Sequence, residues 1–187
     1  MRYGALTELP PGLPVPTDDG AAAHLPGTHL PPVTLPATDG SAVDLAGLAG
    51  RIIVFCYPRT GRPGDPPLVD DWDLIPGARG CTPQSCAFRD LSAEFQTLAV
   101  RVFGLSAQST EYQREAAERL HLPFPLLSDA RGQFSEALRL PMFEAGGETL
   151  LKRLTLIALD GRIEKVFYPV FPPDKNADEV LTWLRRH

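Results

Sequence analysis

The chain has 187 residues, enough for about one domain, and its 43% hydrophobic and 22% charged residues are an ordinary balance for a folded protein. The net charge of −5 gives no electrostatic support to a nucleic-acid or anionic-membrane binder. Three cysteines exclude a disulfide-dense secreted scaffold, and no apolar run resembles a secretory signal or a membrane span, so we expect a cytoplasmic protein.

The first part of the chain predicts an irregular arm followed by strands. Residues 1–23 are rich in proline, glycine and small residues, so we expect an N-terminal arm in front of one domain over residues 24–187. Residues 33–45 predict a hairpin that turns at residues 38–41. Residues 51–57, RIIVFCY, form a continuous apolar run that is typical of a central strand covered on both faces.

Strands and helices alternate in the rest of the chain. A Thr-Pro start and apolar residues on one face predict a helix over residues 82–99, capped by Thr82. Further strands are predicted at residues 100–106, 124–127, 154–159 and 163–168, and further helices at residues 109–121, 133–138 and 176–187. This alternation indicates an α/β domain with a mixed sheet.

A long inserted loop is predicted at about residues 59–80, where glycine and proline recur. Five apolar side chains stand among four aspartates in this loop: Leu68, Val69, Trp72, Leu74 and Ile75. Because burial of each such side chain contributes about 1.5–3 kcal/mol, we expect them to leave water. They either pack on the domain as a satellite core, or wall the entrance to a site near Cys81 or form a partner surface.

The three cysteines differ in their surroundings. Cys81 and Cys86 stand at the start of the predicted helix, where the helix N-terminus stabilises a thiolate. On an ideal helix, residues five apart have Cα atoms about 8–9 Å apart, and a disulfide spans about 7 Å or less. The pair can therefore bond only if the first turn unwinds, which suggests a redox cycle with two conformations; the alternative is two unrelated helical cysteines. Cys56, inside an apolar strand, is interpreted as a buried small hydrophobe.

The residues around these cysteines resemble the peroxiredoxins, and most closely the subgroup called peroxiredoxin Q or bacterioferritin comigratory protein. A strand ending in Tyr-Pro and two cysteines separated by four residues ahead of Phe-Arg-Asp carry the resemblance. Other stretches agree in the same order, so that it covers about residues 25–186. The matching stretches are residues 55–58, 80–90, 33–40, 125–129 and 153–161.

The resemblance implies a thioredoxin-like α/β fold with a mixed central sheet, flanking helices and an N-terminal hairpin. It implies a thiol-dependent peroxidase for hydrogen peroxide and organic hydroperoxides that needs no cofactor and no metal. Cys81 is then the peroxidatic cysteine, Cys86 the resolving cysteine of an intramolecular disulfide, and Arg153 the cationic partner of the thiolate. Thioredoxin or a similar dithiol is the expected reductant, and a monomer the expected state.

One departure from the family pattern concerns the loop before Cys81. The family has Pro, three residues, Thr or Ser, two residues and then the cysteine. Here Pro58 precedes the inserted loop, which separates it from Cys81, and position 78 is Ala. Pro58 is still expected to pack over the thiolate. Thr60 is the first candidate for the hydroxyl that contacts peroxide, and Thr82 is the second. The loop arginines, Arg59, Arg62 and Arg79, either add positive potential or are solvated.

Two other functions remain open at this point. The chain could be a thioredoxin-fold protein disulfide oxidoreductase, although the usual Cys-x-x-Cys motif is missing. It could also be a non-catalytic thioredoxin-fold binding protein with incidental thiols.

Overall fold

A mixed five-stranded sheet lies at the centre of the computed structural model, which describes residues 6–187. In chain order the elements are β1 (Thr34–Pro36), β2 (Ala42–Asp44), β3 (Arg51–Cys56), α1 (Cys81–Asp90), α2 (Ser92–Thr97), β4 (Arg101–Ser106), α3 (Thr110–Arg119), β5 (Leu126–Ser128), α4 (Gln133–Leu138), β6 (Met142–Ala145), β7 (Glu148–Leu151), β8 (Leu154–Leu159), β9 (Arg162–Phe167) and α5 (Asn176–Leu184). The central sheet has the order β5-β4-β3-β8-β9, with β3, β4 and β5 parallel and with β8 antiparallel to both β3 and β9. No helix in residues 6–187 is both long and apolar enough to cross a membrane.

Strand β3 separates two hydrophobic cores. Successive side chains of a strand point to opposite faces. Accordingly, Ile52 and Val54 lie in a core with the N-terminal hairpin and β8, whereas Ile53 and Phe55 lie in a second core with α1 and α5. All four are buried. The prediction of a central strand covered on both faces is therefore confirmed, as is the mixed α/β sheet flanked by helices.

The predicted helix over residues 82–99 is two helices, α1 and α2, and it begins one residue earlier than expected. Its N-cap is Gly80 with φ 111°, and Cys81 is the first helical residue, so the prediction that Thr82 caps the helix is wrong. The break falls at Leu91, whose φ of −101° and ψ of 13° leave the helical region. Phe88 and Phe95 keep the helical period across the break and are both buried.

The hairpin of β6 and β7 is an element that we did not predict from the sequence. It turns at Gly146 and Gly147, which both have positive φ. The inserted loop packs against this hairpin, and Trp72 and Ala78 from the loop form a buried cluster with Ala145 and Leu150. A Cβ on Gly146 would lie 2.9 Å from a carbon of Leu68. The turn therefore requires glycine both because a side chain would clash with Leu68 and because φ is positive.

The N-terminal arm has no helix or strand over residues 6–23; the expectation for residues 1–5 lies outside the described part of the chain. Residues 6–23 contain bends and isolated turns. Their contacts with the rest of the molecule include both ends of the inserted loop, and Lys152 and Tyr168 through Asp19.

Candidate active site

The start of α1 holds Cys81 at the end of the inserted loop. Gly80, the preceding residue, has a left-handed backbone, and a Cβ there would lie 2.3 Å from Pro173 Cγ and 3.0 Å from Leu9 Cδ2. Only glycine fits so close a contact with that backbone conformation. This packing leaves Cys81 3% exposed, with its backbone amide at a helix N-terminus, where negative charge is stabilised.

Arg153 lies directly against Cys81. Its Nη2 is 3.2 Å from the Cys81 Sγ, and the side chain is only 3% exposed. The guanidinium also donates to the carbonyl oxygens of Gly77, Ala78 and Arg79 at 3.1–3.3 Å. Because a buried charge needs several partners, these carbonyls hold the cation next to the sulfur. The structure thus brings together the two residues that the resemblance pairs.

Gln84 is a site residue that sequence reasoning missed. Its Oε1 accepts from Arg153 Nη1 at 2.5 Å, and its Nε2 donates to Asn176 Oδ1 at 3.0 Å. Thr155 donates to the same Asn176 oxygen at 2.7 Å. The four buried side chains form one network that fixes the Arg153 guanidinium. The only sequence signal was a polar residue in the first turn of a helix, one turn after the cysteine.

Cys86 is half-buried on the same helix as Cys81, and neither forms a disulfide. Burial raises the pKa of the Cys86 thiol, and the nearby Arg89 opposes that rise. Both cysteines lie within the regular helix α1, so the geometric barrier to a direct bond stands. Cys56 is fully buried in β3, where burial raises its pKa strongly and keeps the thiol protonated.

The structure does not bring Thr60 into a hydrogen bond with Cys81. The Thr60 hydroxyl donates to Gln108 Oε1 at 3.1 Å, and Gln108 Nε2 donates back to the Thr60 carbonyl at 3.2 Å. The polar contacts that Cys81 Sγ makes within residues 6–187 are with Arg153 and the Ala78 carbonyl. Pro58 is buried, and its carbonyl accepts from Ser106 at 3.2 Å.

A cavity of about 530 Å³ reaches Cys81 and Thr82. Trp72 and Tyr112 supply aromatic rings to its lining. The loop arginines expected near the site also line it: Arg59, Arg62 and Arg79. Nearby carboxylates partly offset the positive charge of these three arginines.

Each of these arginines has an acidic neighbour. Arg59 lies 3.1 Å from Glu148, and Arg79 lies 3.6 Å from Asp73. Arg62 lies 4.0 Å from Glu115 and stacks over the Tyr112 ring, with its Cζ 4.1 Å from the ring centroid. The three loop arginines are thus each near a carboxylate, and Arg153 is the cation in direct contact with the sulfur.

A family model and individual relatives of this chain point to the same protein family. The model of the Redoxin family matches residues 25–181. Peroxiredoxin Bcp of Escherichia coli (strain K12) is 33% identical over 171 residues, covering 86% of this chain and 96% of the relative. The chloroplastic peroxiredoxin Q of Sedum lineare is 32% identical over 161 residues, covering 85% of this chain and 77% of the relative.

Solved structures agree. The crystal structure of peroxidoxin BcpB from Mycobacterium tuberculosis shares 27% identity and a TM-score of 0.70, covering 87% of this chain and 98% of that one. A mutant of the peroxiredoxin Q of Xylella fastidiosa has a TM-score of 0.71 at 20% identity, covering 88% of this chain and 98% of that one, which supports the thioredoxin-like fold alone. Together with the family match and the curated relatives, these observations show that the chain belongs to the Redoxin family as a peroxiredoxin of the Q/Bcp type, a thiol-dependent peroxidase.

Proposed function

We propose that Cys81 is the cysteine that reacts with peroxide in this thiol-dependent peroxidase, and that Cys86 resolves the product as an intramolecular disulfide. The observation that carries the proposal is the buried Arg153 guanidinium 3.2 Å from the Cys81 sulfur at the N-terminus of α1. Cys56 supports the assignment by contrast, because it is sealed in the sheet without a cationic partner among its described contacts.

The first chemical step is a displacement at oxygen. The Cys81 thiolate attacks one oxygen of the peroxide, a sulfur–oxygen bond forms, and the O–O bond breaks. The hydroperoxide proton stays with the oxygen bound to sulfur, giving a sulfenic acid, while the departing oxygen takes a proton from solvent and leaves as water or alcohol. Arg153 stabilises the thiolate and the negative charge that develops on the leaving oxygen.

The second step regenerates a disulfide and needs movement of α1. The Cys86 thiolate attacks the sulfenic sulfur, an S–S bond forms and the S–O bond breaks. The departing hydroxide takes a proton from solvent and leaves as water. Because both cysteines lie on α1, the first turn unwinds before they meet. A dithiol then reduces the disulfide through a mixed disulfide, and we propose thioredoxin for this role.

Substrate, assembly and location complete the proposal. Hydrogen peroxide and organic hydroperoxides are the proposed substrates; one structural relative, from Xanthomonas campestris, is described by its alkyl peroxide reduction activity. We propose a monomer, which light scattering on the purified protein tests. We propose the cytoplasm as its location, although the plant relatives are named as chloroplastic.

Peroxide consumption with single variants tests the roles of the cysteines. Cys81→Ser should abolish turnover with thioredoxin, thioredoxin reductase and NADPH, whereas Cys56→Ala should retain it. Cys86→Ser should consume one equivalent of peroxide and stop at a sulfenic acid that a dimedone probe labels. A Cys86→Ser protein that leaves Cys81 unlabelled would show that the two roles are wrongly assigned.

The hydroxyl in contact with peroxide is proposed to be that of Thr60. Its hydroxyl donates to Gln108, which leaves its lone pairs as acceptors, whereas Thr82 lines the cavity at Cys81 and is the second candidate. Thr60→Val should lower kcat/KM for hydrogen peroxide, and Thr82→Val should leave it nearly unchanged. The reverse result would assign the hydroxyl to Thr82.

A further inference from the structure

The N-terminal arm lies against the backbone that surrounds Cys81. A Cβ on Gly61 would lie 3.3 Å from Leu6 Cδ2, and one on Gly80 would lie 3.0 Å from Leu9 Cδ2. Further along the arm, Pro16 lies at ordinary van der Waals distance from Gly77: a Cβ on Gly77 would lie 3.7 Å from Pro16 Cβ. The arm therefore touches both ends of the inserted loop, and one contact is with the residue directly before Cys81.

A polar contact fixes the end of the arm nearest the domain. The Asp19 carboxylate accepts from Lys152 Nζ at 2.8 Å and from the Tyr168 hydroxyl at 2.8 Å. These hydrogen bonds hold the pKa of Asp19 well below its usual range. Lys152 directly precedes Arg153, so the arm is tied on one side to the strand connection that carries the site arginine.

The first described residues of the arm lie at the cavity that reaches Cys81. Leu6 and Thr7 line the same cavity as Cys81, together with the rings of Trp72 and Tyr112. The Leu6 side chain is partly exposed and packs on Gly61. Leu6 thus places an apolar group in the cavity wall, although it is far from Cys81 in sequence.

The size of the cavity separates two classes of peroxide. Hydrogen peroxide is little larger than water, whose share of liquid volume is about 30 Å³, whereas the cavity measures about 530 Å³. A volume in this range suits an organic molecule. Leu6, Leu68 and Trp72 supply apolar side chains to a lining that also holds charged ones. Hydrogen peroxide can contact only the part next to Cys81, and a larger organic group extends along the lining.

We propose that the N-terminal arm is a wall of the peroxide site, and that Leu6 is a specificity-determining residue for hydroperoxides with a bulky apolar group. Leu6 contacts that group and leaves the reaction of hydrogen peroxide unaffected. The proposal rests on the proposed function of Cys81, because Leu6 matters only if the cavity next to that cysteine receives the substrate.

The test compares kcat/KM for hydrogen peroxide and for cumene hydroperoxide in the full chain. Leu6→Ala should lower kcat/KM for cumene hydroperoxide by about tenfold, the loss expected when an apolar pocket loses side-chain contact. Its kcat/KM for hydrogen peroxide should stay within about twofold of wild type by the same argument. Leu6→Met, which keeps the volume, should restore most of the cumene hydroperoxide activity. Val15→Ala is the matched control, because Val15 lies on the arm, is 67% exposed and does not line the cavity.

The outcomes separate this proposal from the function on which it rests. An unchanged ratio of the two rates in Leu6→Ala would overturn the role of Leu6 while Cys81-dependent peroxide reduction continues. A higher cumene hydroperoxide rate would also overturn it, because the arm would then obstruct the substrate instead of binding it. An equal fall for both peroxides, with the same fall in Val15→Ala, would show a general effect of the arm. If wild type reduces neither peroxide, the proposed function itself fails.

Discussion

The Arg153 guanidinium is held in position by a side chain of α1, the helix that carries Cys81. Gln84 is the acceptor for Arg153 Nη1 at 2.5 Å, and Gln84 is completely buried. Hydrogen bonds to charged groups contribute about 1.5–3 kcal/mol, and a buried charge that loses one is strongly penalised. Arg153 is therefore held in place by Gln84 as well as by three loop carbonyls.

Replacing Gln84 should weaken both stability and the thiol chemistry. We expect Gln84→Leu to lower the free energy of unfolding by about 2 kcal/mol and to slow the alkylation of Cys81 by iodoacetamide at pH 7. Urea unfolding and alkylation kinetics measure the two effects. Gln96→Leu is the control, because Gln96 is exposed on α2, and its change should stay within about 0.5 kcal/mol. Normal alkylation in a destabilised Gln84→Leu protein would contradict the positioning of Arg153 by Gln84.

In the proposed mechanism helix α1 carries the resolving step, and the pH dependence of that step follows from Cys86. Burial raises the pKa of the Cys86 thiol, so at neutral pH most of it is protonated and only the thiolate attacks the sulfenic acid. Below the pKa, the thiolate fraction rises about tenfold for each pH unit.

The disulfide should therefore form faster as the pH rises. After one equivalent of peroxide, we expect the rate of disulfide formation to increase about tenfold per pH unit between about pH 6 and 8. Rapid quench at each pH followed by thiol counting measures the rate, and Cys86→Ser supplies the baseline without this step. A rate independent of pH over this range would show that unwinding of α1 limits the step instead.

The inserted loop packs on the domain and also lines the cavity at Cys81. Trp72 is 7% exposed and packs with Ala78, Ala145 and Leu150 in the satellite cluster, and it also lines the cavity at Cys81. Leu74, two residues later, is 73% exposed. The loop thus has an anchored side chain and a solvated one within a single turn.

The two side chains make a matched pair for a stability test. Trp72→Ala should lower the free energy of unfolding by about 3 kcal/mol, since it empties a small packed cluster. Leu74→Ala should change it by no more than about 0.5 kcal/mol. Chemical denaturation monitored by circular dichroism gives both values. If the two changes are equal, Trp72 does not anchor the loop to the β6–β7 hairpin.

On the scale of the whole molecule, local patterns were enough for the sheet and not for the contacts between distant segments. The apolar run before Tyr57 and the Asp160-Gly161 turn mark β3 and the β8–β9 pair directly. The break at Leu91 is hidden, because Phe88 and Phe95 continue the helical period across it.

The features that the sequence analysis does not predict depend on long-range partners or on a single turn signal. The β6–β7 hairpin has a Gly146-Gly147 turn, a dipeptide that favours two-residue hairpins, and this signal could have revealed it. The family resemblance supplied Cys81, Cys86 and Arg153. The role of Gln84 could not be predicted, because its partners Arg153 and Asn176 are remote in sequence and meet it only in the fold.

Oxidation should loosen one end of the molecule and leave the sheet intact. The disulfide requires the first turn of α1 to open, which breaks the bond from the Gln84 amide to the Gly80 carbonyl and removes Gln84 from Arg153. Gly80 is also wedged between Leu9 and Pro173, so its movement disturbs the arm and the turn at Pro173–Lys175. Strands β3 and β8 share none of these contacts with Gly80.

Hydrogen exchange of the reduced and disulfide forms measures this pattern. We expect faster amide exchange over residues 77–90, the arm and residues 173–176 after oxidation, and unchanged exchange in β3 and β8, because local openings involve contiguous units with few shared contacts. Cys86→Ser treated with one equivalent of peroxide is the control, since it forms the sulfenic acid without the disulfide and should keep the exchange of the reduced protein. Equal protection of α1 in the two forms would contradict the unwinding step, and faster exchange in β3 would show that the opening spreads through the core.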